Sequence, residues 1–275
     1  ITAKWIWGIY AGMTGTLIVL LVFGGMSVFD SICHAFTTTS TGGFSTKQAS
    51  IEYYHSPYID YVISIFMFLS GINFTLLLLM FNGKIKKFIH DAELKFYFWC
   101  VSFFTIFIAV WLHQTSSMEI EEAFRKSLFQ VISLQTSTGF ATADYMLWPS
   151  ILWGCLVIVM IIGACAGIKC IRMVILFQVV KNEFKHILHP NAVLPVRVNK
   201  QVISPSIQST VLAFTFLYAV IAIISILIMM GLGVGFLESI GTVISSMGNM
   251  GPGLGTCGPA FSWSELPDAA KWLLS

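Results

Sequence analysis

Charge is what this chain has least of. Lysine, arginine, aspartate and glutamate make up 10% of the 275 residues, and 15 basic against 13 acidic side chains leave a formal net charge of +2. A balance this close to zero says little about partners, and no nucleic-acid partner is expected. Metal-ligand spacing is also lacking. The six cysteines (Cys33, Cys100, Cys155, Cys165, Cys170, Cys257) form no CxxC pair and have no histidine partner at ligand spacing, so they read as small apolar packing residues. Hydrophobic residues stand where charge is missing, at 56% of the chain, which excludes most soluble folds and makes membrane lipid the surrounding partner.

A helix needs about 20 apolar residues to cross the roughly 30 Å hydrocarbon core. Five windows qualify: Trp5–Gly25, Tyr58–Phe81, Phe96–Leu112, Leu147–Gly163 and Ile207–Met230. Lysine and arginine concentrate in two stretches, one with Lys84, Lys86, Lys87 and Lys95, the other with Lys181, Lys185, Arg197 and Lys200. Cytoplasmic loops retain such residues, so these stretches are expected inside. Trp5, Trp7, Trp148, Trp263 and Trp272 fall near span ends, as interfacial belts do. No signal peptide or initiator methionine is visible, and the final apolar run after Pro267 stops short of a span. The sequence is therefore expected to be a fragment lacking both ends.

Between the spans, three glycine-centred polar turns recur: Ser40–Phe44 (STGGF), Ser137–Ala141 (STGFA) and Asn249–Gly253 (NMGPG). Each follows a helix too short to cross: Val28–Thr39, Ile120–Thr136 and Gly235–Gly248. Aligned on Gly42, Gly139 and Gly251, the turns repeat at roughly a hundred residues, the length of a helix, pore loop and helix. Non-helical backbone at membrane depth is tolerated where it lines protein or a water-filled path. A ring of carbonyls there can replace an ion's hydration shell. Glycine suits such a turn because the carbonyls must point one way, through backbone angles that a Cβ resists.

The motifs Thr37–Thr46, Gln135–Tyr145, His189–Val198 and Ser245–Pro259 resemble the Trk/Ktr/HKT superfamily of potassium transporters, most closely its bacterial Trk-type potassium-uptake subunit. The resemblance implies an all-α integral membrane protein of repeated helix–pore-loop–helix units in pseudo-fourfold order around a central pore. This chain would hold unit two (1–83), unit three (84–200, with a gate loop near 163–169) and unit four (201–275, its last helix cut short). It implies a potassium filter of main-chain carbonyls at Ser40, Thr41 and Gly42, at Ser137, Thr138 and Gly139, and at Asn249, Met250 and Gly251. Potassium in that filter is the one bound species expected, with no other cofactor. It further implies a homodimer, a cytoplasmic nucleotide-binding regulatory ring, and a multi-pass place in a bacterial plasma membrane.

The segment Gly163–Arg172 resembles the family's intramembrane loop below the filter, which makes Gly163, Gly167, Lys169 and Arg172 gate candidates. The family has a further run of small residues between the positions of Gly167 and Ile168, so this loop is either shortened or incomplete here. Geometry asks for a break on its own account. Leu147–Val180 is 34 residues, about 50 Å as one helix at ~1.5 Å per residue. Asp30 and Glu238 each open a pore helix and are expected either to cap it or to draw cations to the mouth. His34 is expected to pack rather than to ligate, and Asn73 to bond between helices. Two other function classes are weaker. A secondary, ion-coupled transporter with alternating access would show inverted repeats, and these units all run one way. A membrane-embedded enzyme needs convergent ionisable groups at depth, which the spans hardly contain.

Overall fold

The computed structural model describes residues 2–81, 83–116, 118–163, 169–189, 191 and 194–275. It is mostly helical. Helix α1 (Thr2–Phe23) is a full-length apolar span, followed after Gly24 and Gly25 by the short α2 (Val28–Thr39). Ser27 caps α2 by accepting the Asp30 N–H through its hydroxyl at 3.1 Å. The chain leaves the turn after α2, makes a 3-10 turn at Ser50–Tyr54, and enters α3 (Pro57–Ser70) with proline at its first position.

The expected straight span Tyr58–Phe81 is broken. Helix α3 stops at Ser70 and α4 (Phe74–Phe81) leaves at 100° to it. The break has a local cause. Asn73 Oδ1 accepts the Thr75 N–H at 3.0 Å, the Asx geometry that starts a helix rather than continues one, and its side chain also lies against the Glu93 carboxylate.

After α5 (Ile85–Ile89), the pattern recurs: span α6 (Ala92–Ser116), short helix α7 (Ile120–Gln135), turn, then α8 (Ser150–Ile161). Helix α8 is shorter than the expected Leu147–Gly163 window because Tyr145–Leu147 forms a 3-10 turn ahead of it. The long segment breaks near Gly163, and α9 (Cys170–Leu188) resumes beyond. A two-residue hairpin pairs β1 (Arg197–Val198) with β2 (Gln201–Val202), Asn199 and Lys200 both turning left-handed. The third pass is the span α10 (Pro205–Gly231), the short helix α11 (Phe236–Gly248), a turn, and α12 (Asp268–Leu274).

The main core gathers around α7, whose face from Phe129 to Gln135 is wholly buried. Trp148, expected in an interfacial belt, is also buried, its ring edge-on to Tyr145. Between α3 and α7 sits a buried ion pair, Arg125 Nη1 to Asp60 Oδ2 at 2.6 Å, with Glu121 on the guanidinium's other side.

Candidate functional site

Each short helix ends in the same backbone turn. One residue is left-handed at Thr41 (φ 53°), Ser137 (φ 58°) and Asn249 (φ 50°), and two residues later a glycine is left-handed at Gly43 (φ 67°), Gly139 (φ 84°) and Gly251 (φ 98°). The residue between them donates its N–H back into the helix: Gly42 to Thr37 O at 2.8 Å, Thr138 to Ser133 O at 2.9 Å, Met250 to Ser245 O at 2.9 Å. The equivalent triplets are therefore Thr41–Gly42–Gly43, Ser137–Thr138–Gly139 and Asn249–Met250–Gly251.

This register corrects the alignment on Gly42. In unit two the sequence alignment runs one residue early, because two adjacent glycines look alike and only Gly43 has the backbone angle that requires one. Ser40 belongs with Thr136 and Gly248 ahead of the turn, and the residues after the shared glycine are Phe44, Phe140 and Pro252. Hydroxyls brace the first two turns identically: Thr37 Oγ1 donates to Phe44 O at 2.9 Å and Ser133 Oγ to Phe140 O at 2.7 Å. Ser245 holds the same place in unit four, where its buried hydroxyl has no partner among the described residues.

The turns are packed edge to edge. A Cβ on Gly43 would fall on the Thr138 carbonyl oxygen, and one on Gly139 would fall on the Met250 carbonyl oxygen, whereas one on Gly251 would meet nothing within 4 Å. Gly43 and Gly139 thus each face the mid-turn carbonyl of the next unit in sequence. All three turns line one cavity of about 430 Å³. The C-terminal ends of α2, α7 and α11 run into these turns, so the negative ends of three helix dipoles converge there. That arrangement favours a cation and disfavours an anion.

The segments leaving the turns are tied down on one side. Asp30 does not cap its helix. Its Oδ1 accepts the Thr46 hydroxyl at 2.6 Å and its Oδ2 lies 3.5 Å from Lys47 Nζ. The Thr46 bond chiefly, with the Ser27 hydroxyl and then Lys47 adding to it, holds the carboxyl down to about 2. Glu238, at the matching third helical position, packs on Gly255 and accepts the Thr256 N–H at 3.4 Å. His34 is buried as expected, and burial holds it below the usual imidazole range. Its Nδ1 donates to Asp30 O at 2.7 Å, which leaves Nε2 to accept the Ser45 hydroxyl at 3.0 Å. The His34 ring lies against Phe140 of the next unit. The Ala141 carbonyl accepts from Ile51 N and Glu52 N, both at 3.2 Å, and Tyr145 Oη donates to Gly253 O at 2.7 Å.

On the other side, both helix breaks approach the turns. A Cβ on Gly163 would lie 3.3 Å from Met250 Cε and 3.3 Å from Ser137 Oγ. A Cβ on Gly71 would lie 2.7 Å from Thr136 Cγ2. Of the gate candidates, Lys169 is exposed just ahead of α9. Arg172 stacks its guanidinium 3.8 Å over the Phe214 ring of α10, a contact with a helix face and not with a turn. Gly167 lies outside the described residues. Sequence reasoning missed Tyr145 and the Ser50–Glu52 contact with Ala141. Neither carries a charge or periodicity signal, and only the motif ending at Tyr145 pointed there.

Known proteins share this fold. The family model for TrkH, described as a cation transport protein, matches residues 6–275. The Trk system potassium uptake protein TrkH of Escherichia coli (strain K12) is 35% identical over 99% of this chain and 58% of that protein. TrkG of the same organism is 34% identical over 99% of this chain and 57% of that protein. The crystal structure of the potassium transporter TrkH from Vibrio parahaemolyticus superposes with a TM-score of 0.92 at 31% identity, covering 99% of this chain and 60% of that one. The chain spans less than two thirds of the length of these relatives. With a family match over nearly its whole length, on an all-helical, multi-pass membrane fold carrying the tandem turns described above, the chain belongs to the TrkH cation transport family.

Proposed function

We propose that this chain forms most of the wall of a potassium-uptake pathway in a bacterial plasma membrane, with the three turns as its selectivity filter. The observation that carries this reading is the contact of Gly43 and Gly139 with the mid-turn carbonyls of the following unit. Close packing of this kind is what a ring of inward carbonyls requires, and the helix C-termini behind it supply negative potential. The open side of Gly251 is where unit one of the whole protein completes the ring. The filter ligands are the carbonyls of Thr41, Gly42 and Gly43 and of their partners in units three and four. The mid-turn residues differ (Gly42, Thr138, Met250), so the rings are chemically unequal and the preference for potassium over sodium is real but modest. Gly163, close to Ser137 and Met250, and Lys169 belong to a gate on the inner side, as the resemblance to the family's intramembrane loop implies. The named relatives are potassium uptake and transport proteins, which supports the cargo. The whole protein works as a homodimer with a cytoplasmic nucleotide-binding ring, the assembly that the family resemblance implies.

The test is uptake of potassium, rubidium, sodium and lithium by the full-length protein in liposomes, with Gly139→Ser beside it. Serine at φ 84° is strained, and its Cβ displaces the Met250 carbonyl. The potassium-to-sodium ratio should fall toward one while the protein still assembles. An unchanged ratio in a well-folded variant would sink the filter assignment.

A further inference from the structure

The seams between the three turns are built differently. At the seam between units two and three, Ala141 is held at both ends: its carbonyl accepts from the main-chain Ile51 N and Glu52 N, and its own N–H donates to Ser50 Oγ at 3.2 Å. Gly43 also abuts the Thr138 carbonyl there. At the seam between units three and four, Gly139 abuts the Met250 carbonyl in the same way, but the segment after Gly251 is held from unit three by side chains, Met146 Sδ accepting the Gly255 N–H at 3.3 Å and Tyr145 bonding Gly253. Tyr145 Oη reaches Gly253 O at 2.7 Å and is the only donor to that oxygen among the described residues. The ring is fully buried, and Trp153 Nε1 fixes the residue by donating to Tyr145 O at 3.0 Å. Gly251 itself has nothing against its Cβ direction, so the unit-four turn is positioned from the unit-three side alone, by the Gly139 contact with the Met250 carbonyl and by the Tyr145 bond to Gly253.

We infer that Tyr145 is a positioning residue for ion selectivity: its hydroxyl tethers Gly253 and so sets where the carbonyls of Asn249–Gly251 stand relative to those of Ser137–Gly139. It touches no permeating ion. The inference rests on the filter reading above. Gly253 is two residues from Gly251, so a shift of its carbonyl is transmitted through two peptide planes to the ring. Stranding a buried carbonyl is worth about 5-fold or more in an equilibrium, enough to let the turn relax toward a site that fits both ions.

The experiment compares wild type, Tyr145→Phe and Gly251→Ala in full-length protein, reconstituted in liposomes, with potassium and sodium permeation measured side by side. Phenylalanine keeps the ring and removes only the hydroxyl. Tyr145→Phe should lower the potassium-to-sodium ratio on the order of 5-fold while potassium flux persists. A ratio that falls in Gly251→Ala and stays at the wild-type value in Tyr145→Phe overturns the tether and leaves the filter standing. Ratios unchanged in both variants overturn the filter reading and the tether with it. A lower melting temperature with an unchanged ratio marks a packing role alone and also overturns the proposal. Should Tyr145→Phe fail to fold, a fluorinated tyrosine at 145 keeps size and hydroxyl while altering its acidity. The ratio should then move with that acidity, and a fixed ratio overturns the tether.

Discussion

Asp30 shows how one side chain is committed by its surroundings. It stands three residues into α2, where an acid favours the helix dipole, yet its carboxylate is occupied by Thr46 and Lys47 on the segment leaving the turn. Its folded value of about 2 lies below the ordinary 3.8. A depressed carboxyl contributes stability that is full above its unfolded value and is lost as pH falls through its folded value. Wild type should therefore be more stable than Asp30→Asn by a constant margin from pH 7 to about 5, and the margin should shrink below 3.8. Thermal unfolding in detergent at pH 7, 5 and 3 reads this directly. A margin that stays constant across that range would show that the Thr46 contact contributes nothing to folding. The same scale explains why the turn register escaped the sequence: Gly42 and Gly43 are identical letters, and the distinction lies in a backbone angle.

At the scale of elements, α2, α7 and α11 were legible almost to the residue, because each is a short apolar segment that ends in a polar, glycine-bearing turn. The bend between α3 and α4 was not. Hydropathy sees Tyr58–Phe81 as one run, and the interrupting Gly71 and Asn73 are too few to lower it. Packing requires glycine at the bend, since the Thr136 methyl and the Tyr97 hydroxyl each stand 2.7 Å from where a Cβ on Gly71 would be. Gly71 has φ −73°, so alanine there suffers no backbone strain and the effect is purely steric. Gly71→Ala should cost about 1–3 kcal/mol of stability by overpacking. Gly154→Ala in α8, whose Cβ would meet nothing within 4 Å, should be neutral or mildly stabilising. Equal melting temperatures for the two variants would mean that the foot of α7 yields easily and does not hold the bend in place.

Across the whole molecule, the two basic stretches that suggested sidedness do meet. Asn199, in the hairpin after α9, donates to Asp91 Oδ2 at 2.6 Å and accepts the Ala92 N–H at 2.8 Å. This joins the Lys181–Lys200 stretch to the start of α6, close to Lys84–Lys95. The three turns share a cavity, and the breaks at Gly71 and Gly163 both touch the feet of those turns. On the function proposed above, a path through the turns would run past Gly163 toward the basic end, where Lys169 stands exposed at the head of α9. A fixed positive charge beside a cation path raises the barrier by about 1 kcal/mol for unit charges ~16 Å apart at an effective dielectric of about 20, and by more if the segment swings inward. Lys169→Ala in the full-length protein should therefore raise open probability or unitary current several-fold and leave the potassium-to-sodium ratio unchanged, because the filter carbonyls are untouched. Single-channel recording at matched expression decides the point. Equal open probability and conductance would place Lys169 at the cytoplasmic interface, its charge in water and outside the path. A changed ion preference would instead extend the filter down to this segment.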